Sequence, residues 1–276
     1  MSATGTLQIP HAPVRRRHEV RLRQLTLSRM VDLTPTMRRL TFSGEAMEGF
    51  VSLGFDDHVK MFFPAPGESE PRLPIVGPDG LEMPKEPPRP IARDYTVRSY
   101  DLSRGELDID FVLHDHGPAS DWARRVRIGD PGWIAGPRGS FILPSDFDAY
   151  LLMADESGFP AVARRLEELP AGAEVTMLLE IAGPEGKIGF RTDADARIVW
   201  AHRGSAEAGD SDALIERLRD LDLPAGDVSA WIACESAMAK RLRAHLVTER
   251  GLNPKWVRAS GYWRRGDSGV HDHFDD

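Results

Sequence analysis

Over the first half of the chain, short runs alternate between apolar and polar residues: Val20–Thr26, Met37–Phe42, His58–Phe63, Tyr95–Tyr100 and Glu106–Leu113. A period of two sends successive side chains to opposite faces, so each run reads as a strand with one face toward a core. Turns rich in Gly, Pro and Asp separate the runs, and several short strands at this spacing predict a sandwich or barrel. Segment Pro64–Pro90 holds many prolines and few periodic apolar positions, which predicts a long surface loop.

The pattern changes near Pro144–Asp148. Tyr150–Ala154, Glu174–Ile181, Arg197–Ala201, Ser229–Cys234 and Val257–Gly261 are strand-like runs. Between them, Phe159–Leu169, Ser211–Leu221 and Ser236–Arg250 place apolar residues at helical spacing, with Gly251 just past the last as a C-cap. Strands alternating with helices predict a parallel sheet of βαβ units. The expected architecture is therefore two domains. An N-terminal antiparallel β-barrel covers 1–146, and a C-terminal α/β Rossmann-like parallel sheet covers 147–276. Ligands of open α/β sheets sit at the carboxyl ends of the strands, so a barrel packed there makes a cleft between domains.

Composition narrows the function. The 276 residues carry 41% apolar and 28% charged side chains, the proportions of a water-soluble globular chain. No apolar run approaches the ~20 residues that span a bilayer, so no membrane partner is expected. Arg15, Arg16, Arg17 and His18 form a basic cluster with no apolar stretch behind it, unlike a secretory signal. With Cys234 as the single cysteine, no intrachain disulfide can form, which fits the cytoplasm. A net charge of −8 argues against a general nucleic-acid binder, although an acidic protein can hold a local basic pocket. Nothing demands more than a monomer. The tail Asp272–Asp276, with His271 and His273 among its acids, reads as a solvated end rather than a metal site.

Two motifs carry candidate chemistry. In Arg93-Asp94-Tyr95-Thr96-Val97-Arg98, strand geometry puts Arg93, Tyr95 and Val97 on one face and Asp94, Thr96 and Arg98 on the other. An Arg fork suits a pyrophosphate, a Tyr offers a packing surface with a polar tip, and a Thr hydroxyl can meet the polar edge of a flavin ring. A polar edge strand explains the same six residues. The second motif runs from Asp110-Phe111-Val112 through His114 to Gly117-Pro118-Ala119-Ser120-Asp121-Trp122. Here a strand ends in a Gly-Pro turn that opens a helix, whose free N–H groups make a ready anion site. A plain strand–turn–helix with surface histidines is the alternative. Around Ser157 the Gly-x-Ser-x-Gly elbow of hydrolases is absent.

Together these motifs resemble the siderophore-interacting protein family, flavin-dependent ferric-siderophore reductases within the wider ferredoxin–NADP reductase superfamily. The pattern stands here as Arg93, Tyr95, Thr96 and Arg98, then Asp110-Phe111-Val112 and His114, then Gly117-Pro118-Ala119-Ser120, Trp122 and Ala123. Asp56-Asp57-His58-Val59-Lys60, Phe62-Phe63-Pro64, Gly136-Pro137-Arg138-Gly139-Ser140 and Gly261-Tyr262-Trp263-Arg264-Arg265-Gly266 extend the likeness over nearly the whole chain. The resemblance implies non-covalent FAD, with the isoalloxazine against Arg93, Tyr95 and Thr96 and the pyrophosphate near His114, Ala119 and Ser120. Val97, Asp110 and Val112 join these as implied cofactor contacts. It implies a site for NADH or NADPH at Ala154-Asp155-Glu156-Ser157-Gly158, where Ala and Ser stand for the family's usual Gly and Thr. It also implies an anionic ferric siderophore as substrate, with Lys60, Arg138 and Arg264 as docking cations.

Cys234 stands where the family usually has Gly; a place beside the flavin and a small buried residue are both open, the second being commoner for a free Cys. Trp263 either covers the flavin or fills a domain interface. Glu180 and Glu185 against Arg203 leave NADH and NADPH undecided, and a ferredoxin donor stays open. Another flavin reductase of the superfamily and a siderophore-binding module without turnover are the rival functions.

Overall fold

The protein is described from a computed structural model, which covers residues 11–77, 80–84, 86–114, 117–267 and 272–274. Asp115, His116, His271, Asp275 and Asp276 lie outside the described residues. The first half contains β1 (Val14–Arg17), β2 (Leu22–Thr34), β3 (Met37–Ser43), β4 (His58–Phe63), β5 (Ile75–Gly77), β6 (Gly80–Glu82), β7 (Ile91–Thr96), β8 (Ser99–Asp101), β9 (Glu106–Val112), helix α1 (Pro118–Arg125), β10 (Pro131–Ala135) and β11 (Gly139–Ile142).

Seven of these strands form one antiparallel sheet in the order β7-β4-β10-β2-β3-β9-β8. Its two edge strands are neighbours in the chain, joined by Val97 and Arg98 alone. The sheet must therefore curl until its edges meet, which is a barrel. The join is tied on both sides: Val97 N–H donates to the Asp57 carbonyl (2.9 Å) and Arg98 N–H to that of Asp108 (3.1 Å). This corner is why the expected single strand Tyr95–Tyr100 is two strands. Leu25 and Leu27 point inward between exposed Gln24 and Thr26, and join Leu40, Phe42, Ile109 and Phe111 in the barrel core. The period of two thus sets the register, since a slip by one residue would put this set in water.

Five strands of this half went unseen in the sequence: β1, β5, β6, β10 and β11. β10 has little alternation, and β1 and β11 pair only with each other. Within the expected loop Pro64–Pro90, β5 and β6 form a small hairpin. Leu73 and Leu81 pack beneath it on Phe62 and Trp133.

The second half holds β12 (Ala149–Ala154), α2 (Phe159–Glu168), β13 (Glu174–Ile181), β14 (Asp195–His202), α3 (Ala213–Arg219), β15 (Val228–Glu235), α4 (Ser236–Ala244), β16 (Val257–Trp263) and β17 (Asp272–His273). The order is β14-β13-β12-β15-β16-β17, parallel except for β17. β12 and β15 are buried throughout, as strands covered on both faces must be. The last helix stops being α-helical at Ala244 and continues as a π-helical turn over His245–Glu249. Gly251 follows in the left-handed region (φ 74°), as the capping pattern predicts.

Buried arginines join the two sheets. Arg164 on α2 donates to the Ser52 hydroxyl (2.7 Å), the Ser52 carbonyl (2.9 Å) and the Val97 carbonyl (3.1 Å). Arg98 makes a two-pronged pair with Glu167 (2.7 and 2.9 Å). Among the described residues no helix is long and apolar enough to cross a membrane.

The N-terminal segment is pinned at the junction. His11 lies between two carboxylates, Asp146 (2.9 Å) and Asp227 (3.1 Å), with its ring stacked on Phe147 at 4.0 Å. Hydrogen bonding to Asp146 raises its pKa against the opposing effect of burial, and Asp227 adds to the rise. A raised native pKa means the contact stabilises fully below the ordinary value of about 6.5 and fades as pH climbs through the raised one. His11→Ala should therefore lower the melting midpoint more at pH 6 than at pH 8.5; an equal gap at both would show that only the ring stacking matters.

Candidate cofactor and substrate site

Tyr95 on β7 packs its ring 4.2 Å from Phe111 and 6.2 Å from Phe63. Trp122 of α1 meets the same two rings (6.0 and 5.4 Å), so β7 and α1 share one aromatic cluster. The Tyr95 hydroxyl has no protein partner among the described residues, and desolvation pushes its pKa up, keeping it protonated. Arg93 donates one hydrogen bond, to the Ala92 carbonyl (2.7 Å), and meets no carboxylate among the described residues. A half-exposed guanidinium fork is thus left with open donors. Thr96, almost buried, shares a side-chain hydrogen bond with Tyr262 of β16. That contact brings the motif on the barrel to the C-terminal motif of the other sheet.

At α1, Gly117 adopts φ 118°, and a Cβ there would lie 3.2 Å from the His114 ring. Both facts call for glycine. Pro118 opens the helix, and the first-turn N–H groups of Ala119 and Ser120 lack intrahelical acceptors. The Ser120 hydroxyl is not aimed at a ligand. It donates to the His114 carbonyl (2.6 Å) and accepts from the His114 N–H (3.0 Å), stapling the strand end to the helix start.

Two other expected contacts are tied into the protein's own network. Val97 has its side chain in the barrel core, while its N–H and carbonyl both bond within the protein. It shapes the corner. Asp110 is only 2% exposed, and both its oxygens are held by Arg39 (2.6 and 2.8 Å), so it is a support. Val112 is half-buried at the end of β9, next to the His114 turn.

The parallel strands run in the order third, second, first, fourth, fifth by chain position, so the connections diverge between β12 and β15. Crevices at such a point take dinucleotides. Asp155 lies there, fully committed: Oδ1 accepts from the Ser157 N–H (2.9 Å) and hydroxyl (2.5 Å), Oδ2 from the Glu235 N–H (3.1 Å) and Trp263 Nε1 (2.7 Å). Burial raises its pKa, and the bonds from Ser157 and Trp263, with the charge of Arg203, oppose the rise. The Asp155-Glu156-Ser157 stretch therefore frames the crevice from behind. Glu156 pairs with Arg203 (2.8 Å), with Glu180 at 3.8 Å on the same nitrogen. Arg203, a candidate for choosing between nicotinamides, is already neutralised by the protein. Gly158 lets α2 begin against β15, since a Cβ would sit 2.7 Å from the Ala233 carbonyl. Cys234 is a buried core residue whose thiol pKa burial raises, which agrees with the structural expectation for it.

The three docking candidates differ. Lys60 pairs with Asp94 (2.6 Å), and Arg264 with Asp272 (2.6 Å) and Asp267 (3.5 Å). Arg138 is exposed and has no partner side chain among the described residues. Lys60 stands opposite Ala135, three residues before Arg138, so these two share one end of the β4–β10 pair. Arg264 belongs to the edge of the other sheet, beyond β16. Arg39, Arg164 and Tyr262 were not singled out in the sequence as site-forming residues. Only Tyr262 lay in a recognisable motif; the other two were indistinguishable from surface arginines.

The model of the siderophore-interacting FAD-binding domain matches residues 26–141, and that of the siderophore-interacting protein matches 147–266. An NADPH-dependent ferric-chelate reductase of Escherichia coli is 39% identical over 92% of this chain and 97% of its own. The chain belongs to the siderophore-interacting protein family. A ferric vibriobactin reductase of Vibrio cholerae is 31% identical over 88% of this chain and 90% of its own. The crystal structure of a siderophore utilization protein from T. fusca superposes with a TM-score of 0.89 at 38% identity, covering 95% of this chain and 99% of that one. Barrel and parallel sheet are thus the family's FAD-binding and siderophore-interacting halves.

Proposed function

We propose that this family member is an FAD-dependent reductase that passes electrons from NADPH to an anionic ferric siderophore and releases Fe(II). The observation that carries the reading is the aromatic cluster that joins β7 to α1. Among the described residues, the same two elements carry an Arg93 fork free of carboxylates, an unpartnered Tyr95 hydroxyl and an open helix N-terminus, as a flavin with a pyrophosphate requires. The residues present fit FAD. Bound FAD accepts two electrons as hydride and returns them one at a time, the chemistry needed between a nicotinamide and iron. Arg93 and the Ala119 and Ser120 N–H groups would hold its pyrophosphate, Tyr95 its ribityl chain, and Thr96 the polar ring edge. Asp110 acts through Arg39, and Val97 through the corner. Asp155, Glu156 and Ser157 shape the nicotinamide crevice at the ends of β12 and β15. We place the domain boundary at residues 146 and 147, between the two family matches, and expect a cytoplasmic monomer.

Fe(III) is held by hard oxygen ligands far better than Fe(II), so reduction alone loosens the chelate and no protein iron ligand is needed. The test is spectroscopic. The purified protein should show flavin bands that bleach anaerobically with NADPH and return on adding ferric tris(catecholate), with Fe(II) trapped by a chelator. Bands that bleach but are not restored by iron would move the function to another flavin reductase. A colourless protein that FAD cannot reconstitute would leave only a binding module. Arg138→Ala should raise KM for the anionic chelate severalfold, from one uncompensated cation lost near the entrance, and Lys60→Ala should change it little, since Asp94 already neutralises Lys60. Adding Arg264→Ala should change KM little, since Asp272 already neutralises that side chain; a large added rise would return Arg264 to the docking site.

A further inference from the structure

Strand β1 buries nothing: Val14, Arg15, Arg16 and Arg17 are all exposed. It is nevertheless held in one register on β11, with Arg15 opposite Phe141, Arg16 opposite Ser140 and Arg17 opposite Gly139. Gly139 admits it, because a Cβ there would come 2.5 Å from the Arg16 carbonyl oxygen. His18 then fixes the end of the strand. Its N–H donates to the Arg138 carbonyl (3.0 Å), and its Nε2 bonds the Ser140 hydroxyl (2.7 Å), which itself donates to buried Asp57 (2.5 Å). The result is a two-stranded ribbon that displays Arg15 and Arg17 on one face and Arg16 on the other, with Arg138 at its end.

None of these four arginines meets a carboxylate among the described residues, on a chain of net charge −8. Arg23 and Arg93 of the barrel likewise bond only carbonyls, whereas five of its other arginines are compensated. Arg21, Arg29, Arg38, Arg39 and Arg104 all have acidic partners. Four like charges on one short ribbon repel, and an arriving polyanion would relieve that repulsion. The ribbon also stands at the seam between the sheets. Arg15 and Arg258 of β16 both lie against the Phe141 ring (4.9 and 4.4 Å), and Arg258 pairs with Asp56 (3.2 Å). On the barrel side, Thr96 stands opposite His58, whose carbonyl would be 3.8 Å from a Cβ at Gly136, two residues before Arg138. The cations therefore border the place where Thr96 meets Tyr262.

We propose that Arg15, Arg16 and Arg17, with Arg138, form a cationic ribbon that gathers the polyanionic ferric chelate at the mouth of the cleft. The ribbon sets the preference for anionic over cationic chelates. This rests on the reductase reading above and adds to it a substrate-selecting element outside the cofactor motifs. Arginine suits the task, since its fork pairs with the oxygen-rich rim of a catecholate or carboxylate chelate.

The full-length holoenzyme with Arg15→Gln, Arg16→Gln and Arg17→Gln tests it. The readout is kcat/KM with NADPH for trianionic ferric tris(catecholate), divided by kcat/KM for a cationic ferric trihydroxamate. At low ionic strength this ratio should fall about tenfold, and the gap from wild type should close as salt shortens the Debye length from ~30 Å at 0.01 M to ~3 Å at 1 M. The matching Lys triple should restore most of the ratio. A ratio that stays at the wild-type value, equal losses for both chelates, or a Lys triple as impaired as the Gln triple would each overturn the proposal. So would an unmoved ratio with collapsed turnover from reduced ferredoxin, which would assign the ribbon to an acidic protein. If the wild type reduces neither chelate, the reductase reading falls. The ribbon is then judged by tryptophan quenching with the same two chelates, where the Gln triple should lose affinity for the trianion alone and equal affinities would overturn it.

Discussion

Arg93→Ala combined with Tyr95→Ala is expected to purify without flavin. The Arg93 fork has its donors open and would make charge-assisted hydrogen bonds to the pyrophosphate, worth about 1.5–3 kcal/mol, or roughly ten- to a hundredfold in affinity. The Tyr95 ring and hydroxyl should add roughly another tenfold, since an aromatic contact contributes about 0.5–1.5 kcal/mol beyond its buried area. The combined loss of about a thousandfold would carry FAD away during gel filtration. Folding complicates the double variant, because Tyr95 packs on Phe111 and its truncation leaves a cavity costing about 3 kcal/mol. Arg93→Ala with Tyr95→Phe keeps that packing while removing the fork and the hydroxyl. It should melt near the wild-type temperature and still bind FAD at least about tenfold more weakly. The check is the flavin-to-protein absorbance ratio, followed by titration with FAD. A variant that stays yellow through gel filtration would remove the β7 pocket as the flavin site.

Strand and helix periodicity was enough to separate the halves, because most strands have one clear apolar set and the β12–β15 core is apolar throughout. It failed where burial is not periodic. β1 buries nothing and is held by backbone pairing and His18, so no hydrophobic pattern could mark it. Val97 and Arg98 looked like strand residues because their alternation continues across the corner, while the corner is set by the Asp57 and Asp108 carbonyls far off in sequence. The cofactor motifs marked Arg93, Tyr95, Thr96 and the α1 turn, and the structure joins β7 to α1 through one aromatic cluster. They did not reveal which members touch a ligand and which are braces. Asp110 is a brace because Arg39 lies across the sheet, and Ser120 because its hydroxyl is closed on His114. Basic residues were the least legible. Lys60, Arg138 and Arg264 read alike as cations in motifs, yet only Arg138 keeps its charge uncompensated. Whether a charge is free depends on tertiary neighbours, and no local pattern encodes that.

Arg203→Leu should be among the most destabilising single changes in the parallel-sheet half. Glu156 and Glu180 have 8% and 5% of their side chains exposed, and Arg203 is the cation against both. Removing one partner of a buried pair strands the remaining charge and typically costs about 3–5 kcal/mol. At a few degrees per kcal/mol, the melting midpoint should drop by roughly 10 °C. The pH dependence identifies the cause. Burial foremost, and then the charge of Asp155, push Glu180 from the ordinary 4.5 up to about 8, although Arg203 pulls the other way. Between those values the native protein keeps a proton that the unfolded chain has released, so stability falls as pH rises through the window. Glu180→Gln has no proton to lose, and its midpoint should decline less between pH 5 and pH 8 than that of the wild type. Arg203→Leu should decline more steeply, and Glu180→Gln placed in that background should recover part of the loss, most clearly at the alkaline end. Melting curves of the four proteins across this range decide the matter. Parallel pH profiles for wild type and Glu180→Gln would mean that Glu180 titrates as an ordinary carboxylate. Arg203, still paired with Glu156, would then face an ionised Glu180 as well, and the floor on which the nicotinamide is proposed to lie would rest on both contacts.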